Sequence, residues 1–172
     1  MPKQDKKDKQ KLEKIAKKII EEFDKNNKEN LLSFMDFTKI GRWVHKNIKY
    51  DRKYFYNIGM SAMDIYNARA GVCHHMTRLA NALLYSLGYK VIYVHGFMCK
   101  YSTEFELSNG HAWSLIKVDG KWYPIDTTWG IFSGKLPVCH AFRGFFDKDI
   151  GFDGSDNIRF ANDSHESGKY IK

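Results

Sequence analysis

Cys73, His111 and Asp126 are residue types that together can make a nucleophile, a base and a carboxylate that orients the base. A lone cysteine is usually a small buried hydrophobe. The setting of Cys73 is different. Gly71 permits a tight turn just ahead of it, and Cys73 then falls in the first turn of a strongly apolar helical stretch. Unpaired N–H groups and the helix dipole favour an anion there, and the thiolate is the reactive form of cysteine. Cys99 falls at a strand end and Cys139 in a loop, where neither has comparable activation. The chemistry implied is attack of sulfur on a carbonyl carbon.

A hairpin supplies the other two groups. Asp119-Gly120 is a favoured two-residue hairpin turn. With these as the loop residues, Val118 faces Lys121, Trp113 lies opposite Asp126 and His111 opposite Thr128. His111 and Asp126 are then diagonal neighbours on one face, roughly 7–8 Å apart at the backbone, a gap that a histidine–carboxylate hydrogen bond spans. A one-residue slip would put them on opposite faces. In such an arrangement His111 takes the thiol proton and later protonates a leaving amine, while Asp126 fixes the imidazole tautomer. The Cys73 backbone N–H is a natural oxyanion donor. A second donor is needed; Tyr50 and Trp43 precede the nucleophile, and spacing does not choose between them.

The elements that must position these groups are legible as patterns. Residues 1–9 are nearly all Lys, Asp and Gln and read as disordered. Leu12, Ile15, Ala16, Ile19, Ile20 and Phe23 form one stripe of an amphipathic helix over about 9–24. Asn26, Asn27 and Asn30 end it. A second helix is predicted over 33–48, with Ser33 and Asp36 spaced as a capping box. After a Tyr-rich loop, Ser61 and Asp64 repeat that spacing ahead of a short helix to Ala68. The helix from Cys73 carries Met76, Leu79, Ala80, Leu83, Leu84 and Leu87, with Gly88 as its C-terminal cap. Strands follow at 90–97, 111–118 and 121–126, and the tail reads as loop with little regular structure. Helices first and an antiparallel sheet afterwards make an α+β domain, with the central helix packed on the sheet.

Length and composition bound the rest. The 172 residues fit a basic N-terminal extension (1–30) and one domain (31–172). Net charge is +8, and residues 1–28 hold ten lysines against six carboxylates, which reads as a solvated helix face. No nucleic-acid module accompanies it, so no nucleic-acid partner is expected. No membrane span or secretory signal is visible, and free thiols suit a cytoplasmic location. Three cysteines without a Cys-x-x-Cys pair exclude a disulfide framework and a Cys-rich zinc site. His74 and His75 are adjacent on a helix, diverge by ~100° and do not form a metal pair; no metal or cofactor is expected. His74 instead borders the cleft. Trp113 and Trp129, beside the base and the carboxylate, are candidate substrate-groove residues, and hydrophobic support is their simpler role. His45, His95, His140 and His165 read as surface or core residues. Asp147, Asp149, Asp153 and Asp156 fail the glycine and glutamate spacing of an EF-hand.

Ala70-Gly71-Val72-Cys73, Gly110-His111-Ala112-Trp113 and the run from Trp122 to Trp129 together resemble the transglutaminase-like superfamily, over about residues 40–130. The resemblance implies a papain-related core in which Cys73, His111 and Asp126 are nucleophile, base and carboxylate. It implies acyl transfer at an amide bond of a protein or peptide substrate through a thioester, as a peptidase, deamidase or transglutaminase. His74 stands where animal transglutaminases carry Trp, and the zinc cysteines of peptide N-glycanases are absent, so hydrolysis is the expected outcome. Arg69 ahead of Gly71 is loosely similar to the Arg-Gly-Gly-x-Cys of arylamine N-acetyltransferases. The alternative is a non-catalytic protein-binding module that retains the fold.

Overall fold

The computed structural model describes residues 3–26, 35–98, 110–132 and 140–145. Among the described residues, five α-helices come in the order α1 (Lys3–Lys7), α2 (Lys9–Asn26), α3 (Asp36–Asn47), α4 (Ala62–Ala68) and α5 (Cys73–Ser86). Strands β1 (Lys49–Tyr50) and β2 (Ala70–Gly71) form a small parallel pair. Strands β3 (Lys90–Met98), β4 (Gly110–Val118), β5 (Lys121–Ile125) and β6 (His140–Phe145) form an antiparallel sheet in the order β5-β4-β3-β6.

Apolar periodicity builds the helical layer. Leu12, Ala16 and Ile19 of α2, Phe37, Ile40 and Val44 of α3, and Met76, Leu79, Ala80, Leu83 and Leu84 of α5 are buried in one cluster. Val91, Ile116 and Ile125 join that cluster from the sheet, so α5 lies between the other helices and the strands. Each of the Leu, Ile, Val, Phe and Met side chains contributes about 1.5–3 kcal/mol by leaving water. Gly88, at φ 94°, turns the chain out of α5 and into β3. Ser61 and Asp64 form the expected capping box on α4: the Ser61 hydroxyl accepts from the Asp64 N–H at 3.1 Å, and the Asp64 carboxylate accepts from the Ser61 N–H at 2.9 Å.

The turn at Asp119-Gly120 has positive φ at both residues, 49° and 79°, which matches its twist to that of the strands. It sets Val118 opposite Lys121 and Ser114 opposite Ile125, the expected register.

Four features differ from the sequence reading. The tail supplies β6, which pairs with β3 across an irregularity at His95/Gly96. Its partner lies more than forty residues earlier in the chain, so six residues carry no local cue for that pairing. The Tyr-rich stretch begins in β1, whose pairing with β2 sets Tyr50 opposite Gly71. Helix α3 starts at Asp36 with Met35 as its N-cap and no side-chain cap bond; Ser33 lies outside the described residues.

The fourth difference is at the N-terminal end. Lys3–Lys7 is helical rather than disordered, because Asp5 finds two partners in the folded chain. Its carboxylate is fully buried, accepts from the Ala62 N–H at 2.8 Å and pairs with Arg78 Nε at 3.1 Å. One acidic side chain thereby joins α1 to the first turn of α4 and to α5. Composition alone could not show this, since a lysine-rich run reads as solvated until its one inward-facing residue is identified. Among the described residues, no helix is long and apolar enough to cross a membrane.

Candidate active site

Cys73 is the first residue of α5, half-buried, with Val72 as the extended N-cap. The cap is reinforced from inside the helix: the Val72 N–H donates to Nδ1 of His75 at 3.2 Å. His75 folds back over Gly71, where an added Cβ would meet the His75 Cβ at 2.5 Å. Gly71 is therefore needed for close approach to His75, rather than for a special backbone angle. The helix start is held from the other side by β1, through the Asp51 N–H donating to the Gly71 carbonyl at 2.8 Å.

His111, the second residue of β4, is buried. Its Nε2 meets Oδ2 of Asp126 at 2.6 Å, so the diagonal placement set by the hairpin register brings the two together. Asp126 lies just past β5 in an isolated bridge with Ile131, where the chain reverses. Its second oxygen, Oδ1, accepts from the N–H groups of Thr128 at 2.9 Å and Trp129 at 3.1 Å. A fully buried carboxylate with its acceptors occupied in this way is fixed in direction.

Burial pushes the His111 imidazole toward its neutral form. Hydrogen bonding to Asp126 and Cys73, together with their charges, outweighs that and holds its pKa up at about 9. With Nε2 engaged by Asp126, Nδ1 is the nitrogen left to meet sulfur. Tyr50 lies on the far side of Cys73. Its phenol is held above its ordinary value by burial first and then by the Cys73 charge, with the Cys73 N–H and thiol close enough to add smaller opposing effects. Tyr93 is raised as well, by burial and then by Cys73.

The other expected site residues divide. Trp129 is 47% exposed beside Asp126, whereas Trp113 is 2% exposed, its ring centroid 6.0 Å from that of His111. Trp113 therefore backs the imidazole and does not face open solvent. The rings of His74 and His75 do not diverge: their Nε2 atoms are 3.1 Å apart, because His75 turns back toward the N-cap. Burial first, then the charges of His75, Arg78 and His95, lowers His74 to about 4, so its imidazole is neutral near pH 7. Among the described residues, no group of three or more His, Cys, Asp or Glu side chains is placed to hold a metal ion. Arg69, in the left-handed region at φ 53°, lies over the rings of Tyr66 at 4.1 Å and Trp43 at 4.7 Å. Cys99, Cys139, His165 and the tail aspartates lie outside the described residues. A cleft of about 830 Å³ bounded by Phe23, Trp43, His45 and Phe132 includes none of Cys73, His111 and Asp126.

The chain belongs to the transglutaminase-like superfamily, whose family model matches residues 17–127. Among solved structures it is similar to a candidate cysteine protease from Cytophaga hutchinsonii, with 28% identity and a TM-score of 0.55 over 72% of this chain and 38% of that one. It is also similar in fold to a TGase, with 18% identity and a TM-score of 0.51 over 73% of this chain and 34% of that one. The chain thus spans little more than a third of the length of either structure. No curated protein matches it. The family and the first of these neighbours support a cysteine-based enzyme in kind.

Proposed function

We propose that this protein is a cysteine-dependent acyl-transfer enzyme that cleaves or exchanges an amide bond of a protein or peptide. The observation that carries the reading is the short His111–Asp126 contact together with the imidazole held up to about 9 beside Cys73. An imidazole in that state keeps its proton at neutral pH and supports a thiolate next to it.

The Cys73 thiolate attacks the amide carbonyl carbon, and the C=O electron pair moves onto oxygen. The oxyanion is stabilised by the Cys73 N–H at the helix start once that N–H leaves the Tyr50 oxygen, with the Tyr50 hydroxyl turned to it as the second donor. The imidazolium of His111 gives its proton to the departing amine as the C–N bond breaks, leaving a thioester on Cys73. Asp126 holds the ring in direction throughout and stabilises its charged form. Neutral His111 then takes a proton from water, which attacks the thioester to release a carboxylic acid and restore the pair. An amine in place of water gives a new amide instead. His74 and Trp129 border the reacting groups, and Trp113 supports the imidazole. A cytoplasmic setting suits the free thiol.

The test is the pH dependence of iodoacetamide alkylation at Cys73 in the wild type and in His111→Ala. A reactive plateau reaching well below the ~8.5 midpoint of free thiols, and lost in the variant, is the expected result. One ordinary titration near that midpoint in both proteins would sink the acyl-transfer reading and favour a binding module on the same fold.

A further inference from the structure

The loop from 51 to 61 is pinned to both flanks of Cys73. The Asp51 N–H bonds to the Gly71 carbonyl at 2.8 Å on one side. On the other, His75 Nε2 bonds to the Asn57 carbonyl at 2.8 Å, and Arg78 reaches the Ile58 carbonyl at 3.5 Å. The Tyr54 ring packs edge-on against His75 at 6.3 Å, facing inward. A loop fixed at so many points would be expected to cover its apolar side chains. It does the opposite: Phe55, Tyr56 and Ile58 are 56%, 90% and 74% exposed, and the first two rings pack edge to face.

Large apolar side chains on a held backbone are costly to leave in water unless something covers them. The charges around them have one dominant sign. Lys49, Arg52 and Lys53 are exposed, and the one carboxylate in the 49–58 stretch, Asp51, pairs with Lys53 at 3.2 Å. The surface that would complement this ledge is apolar with acidic flanks.

We propose that residues 52–58 form a docking ledge that selects protein segments whose apolar side chains are flanked by acidic ones. Phe55, Tyr56 and Ile58 take the apolar side chains, while Arg52 and Lys49 take the carboxylates. Because the loop is held to Gly71 and His75, a segment lying along it is kept close to the turn that carries Cys73. The inference uses the acyl-transfer reading only to name Cys73 as the reacting group.

The test is fluorescence anisotropy with Cys73→Ala protein, which binds without turnover. Two fluorescein-labelled peptides carry a central glutamine between leucines, one flanked by glutamates and the other by lysines. The glutamate peptide is expected to bind about tenfold tighter or better, with the preference shrinking as salt rises. Combined Phe55→Ser, Tyr56→Ser and Ile58→Ser replacement should weaken it about tenfold, and Arg52→Glu should erase the charge preference. These side chains are exposed, so unchanged thermal midpoints will verify that the variants fold. Equal binding of the two peptides, full binding by the triple variant, or no binding of either peptide overturns the proposal. So does a dimer of this chain that forms in solution and buries the loop. The acyl-transfer reading stands or falls separately, on the alkylation profile of Cys73.

Discussion

At the scale of single residues, the site couples protonation to folding. The His111 pKa is raised to about 9 in the folded chain, against roughly 6.5 for an unfolded histidine. A raised folded value means that the stabilisation is fully present below about pH 6.5 and is lost as pH rises through 9. The thermal midpoint should therefore fall between those two pH values, and Asp126→Asn should flatten the fall by removing the charge that holds the proton. A melting series across that window checks it; identical slopes in both proteins would contradict the assignment. Tyr50 belongs to the same scale. If its hydroxyl shares the oxyanion with the Cys73 N–H, Tyr50→Phe should slow the acylation burst from p-nitrophenyl acetate about 10²-fold, the usual cost of one lost donor. An unchanged burst would leave Tyr50 as a wall of the site and nothing more.

At the scale of elements, the site depends on two short connections. One is the Asp119-Gly120 turn. Its conformation alone sets the register that puts His111 and Asp126 on the same face, which is why that pair could be read from the sequence. The other is the helix start at Cys73, legible only in part. Its glycine, its position and its apolar stripe were visible, but the reason for the glycine was not. Gly71 yields its space to His75, a residue that the sequence presents as diverging from His74. Gly71→Ala would place a Cβ 2.5 Å from that of His75. It should cost about 1–3 kcal/mol, read by urea unfolding, and loosen the N-cap bond at Val72. The sequence does not single out Tyr50 for a related reason: what brings it to Cys73 is a two-residue parallel pairing, too short to show an alternating pattern. The capping box at Ser61, by contrast, is a local device and was fully legible. Strand β6 was not, because its partner lies more than forty residues earlier in the chain.

At the scale of the whole molecule, the helical layer and the sheet meet through α5, and the N-terminal helices belong to the same packing. Leu12 and Ala16 of α2 are as buried as any residue of α5. Asp5 adds a polar lock. Removing one partner of a buried ion pair leaves the other charged and uncompensated, so Asp5→Ala should destabilise the protein by about 3–5 kcal/mol in urea unfolding. Asp5→Asn, which can still accept from the Ala62 N–H, should cost less. The lock also has a direction in time. Asp5 precedes Ala62 by 57 residues and Arg78 by 73, so synthesis delivers the acid long before the backbone amide and the guanidinium that receive it. The segment carrying it must stay solvated until the helix that begins at Cys73 has been made, which its lysines favour. Closure of α1 is thus a late event on the ribosome, and Cys73 gains its full scaffold only after the rest of its helix exists.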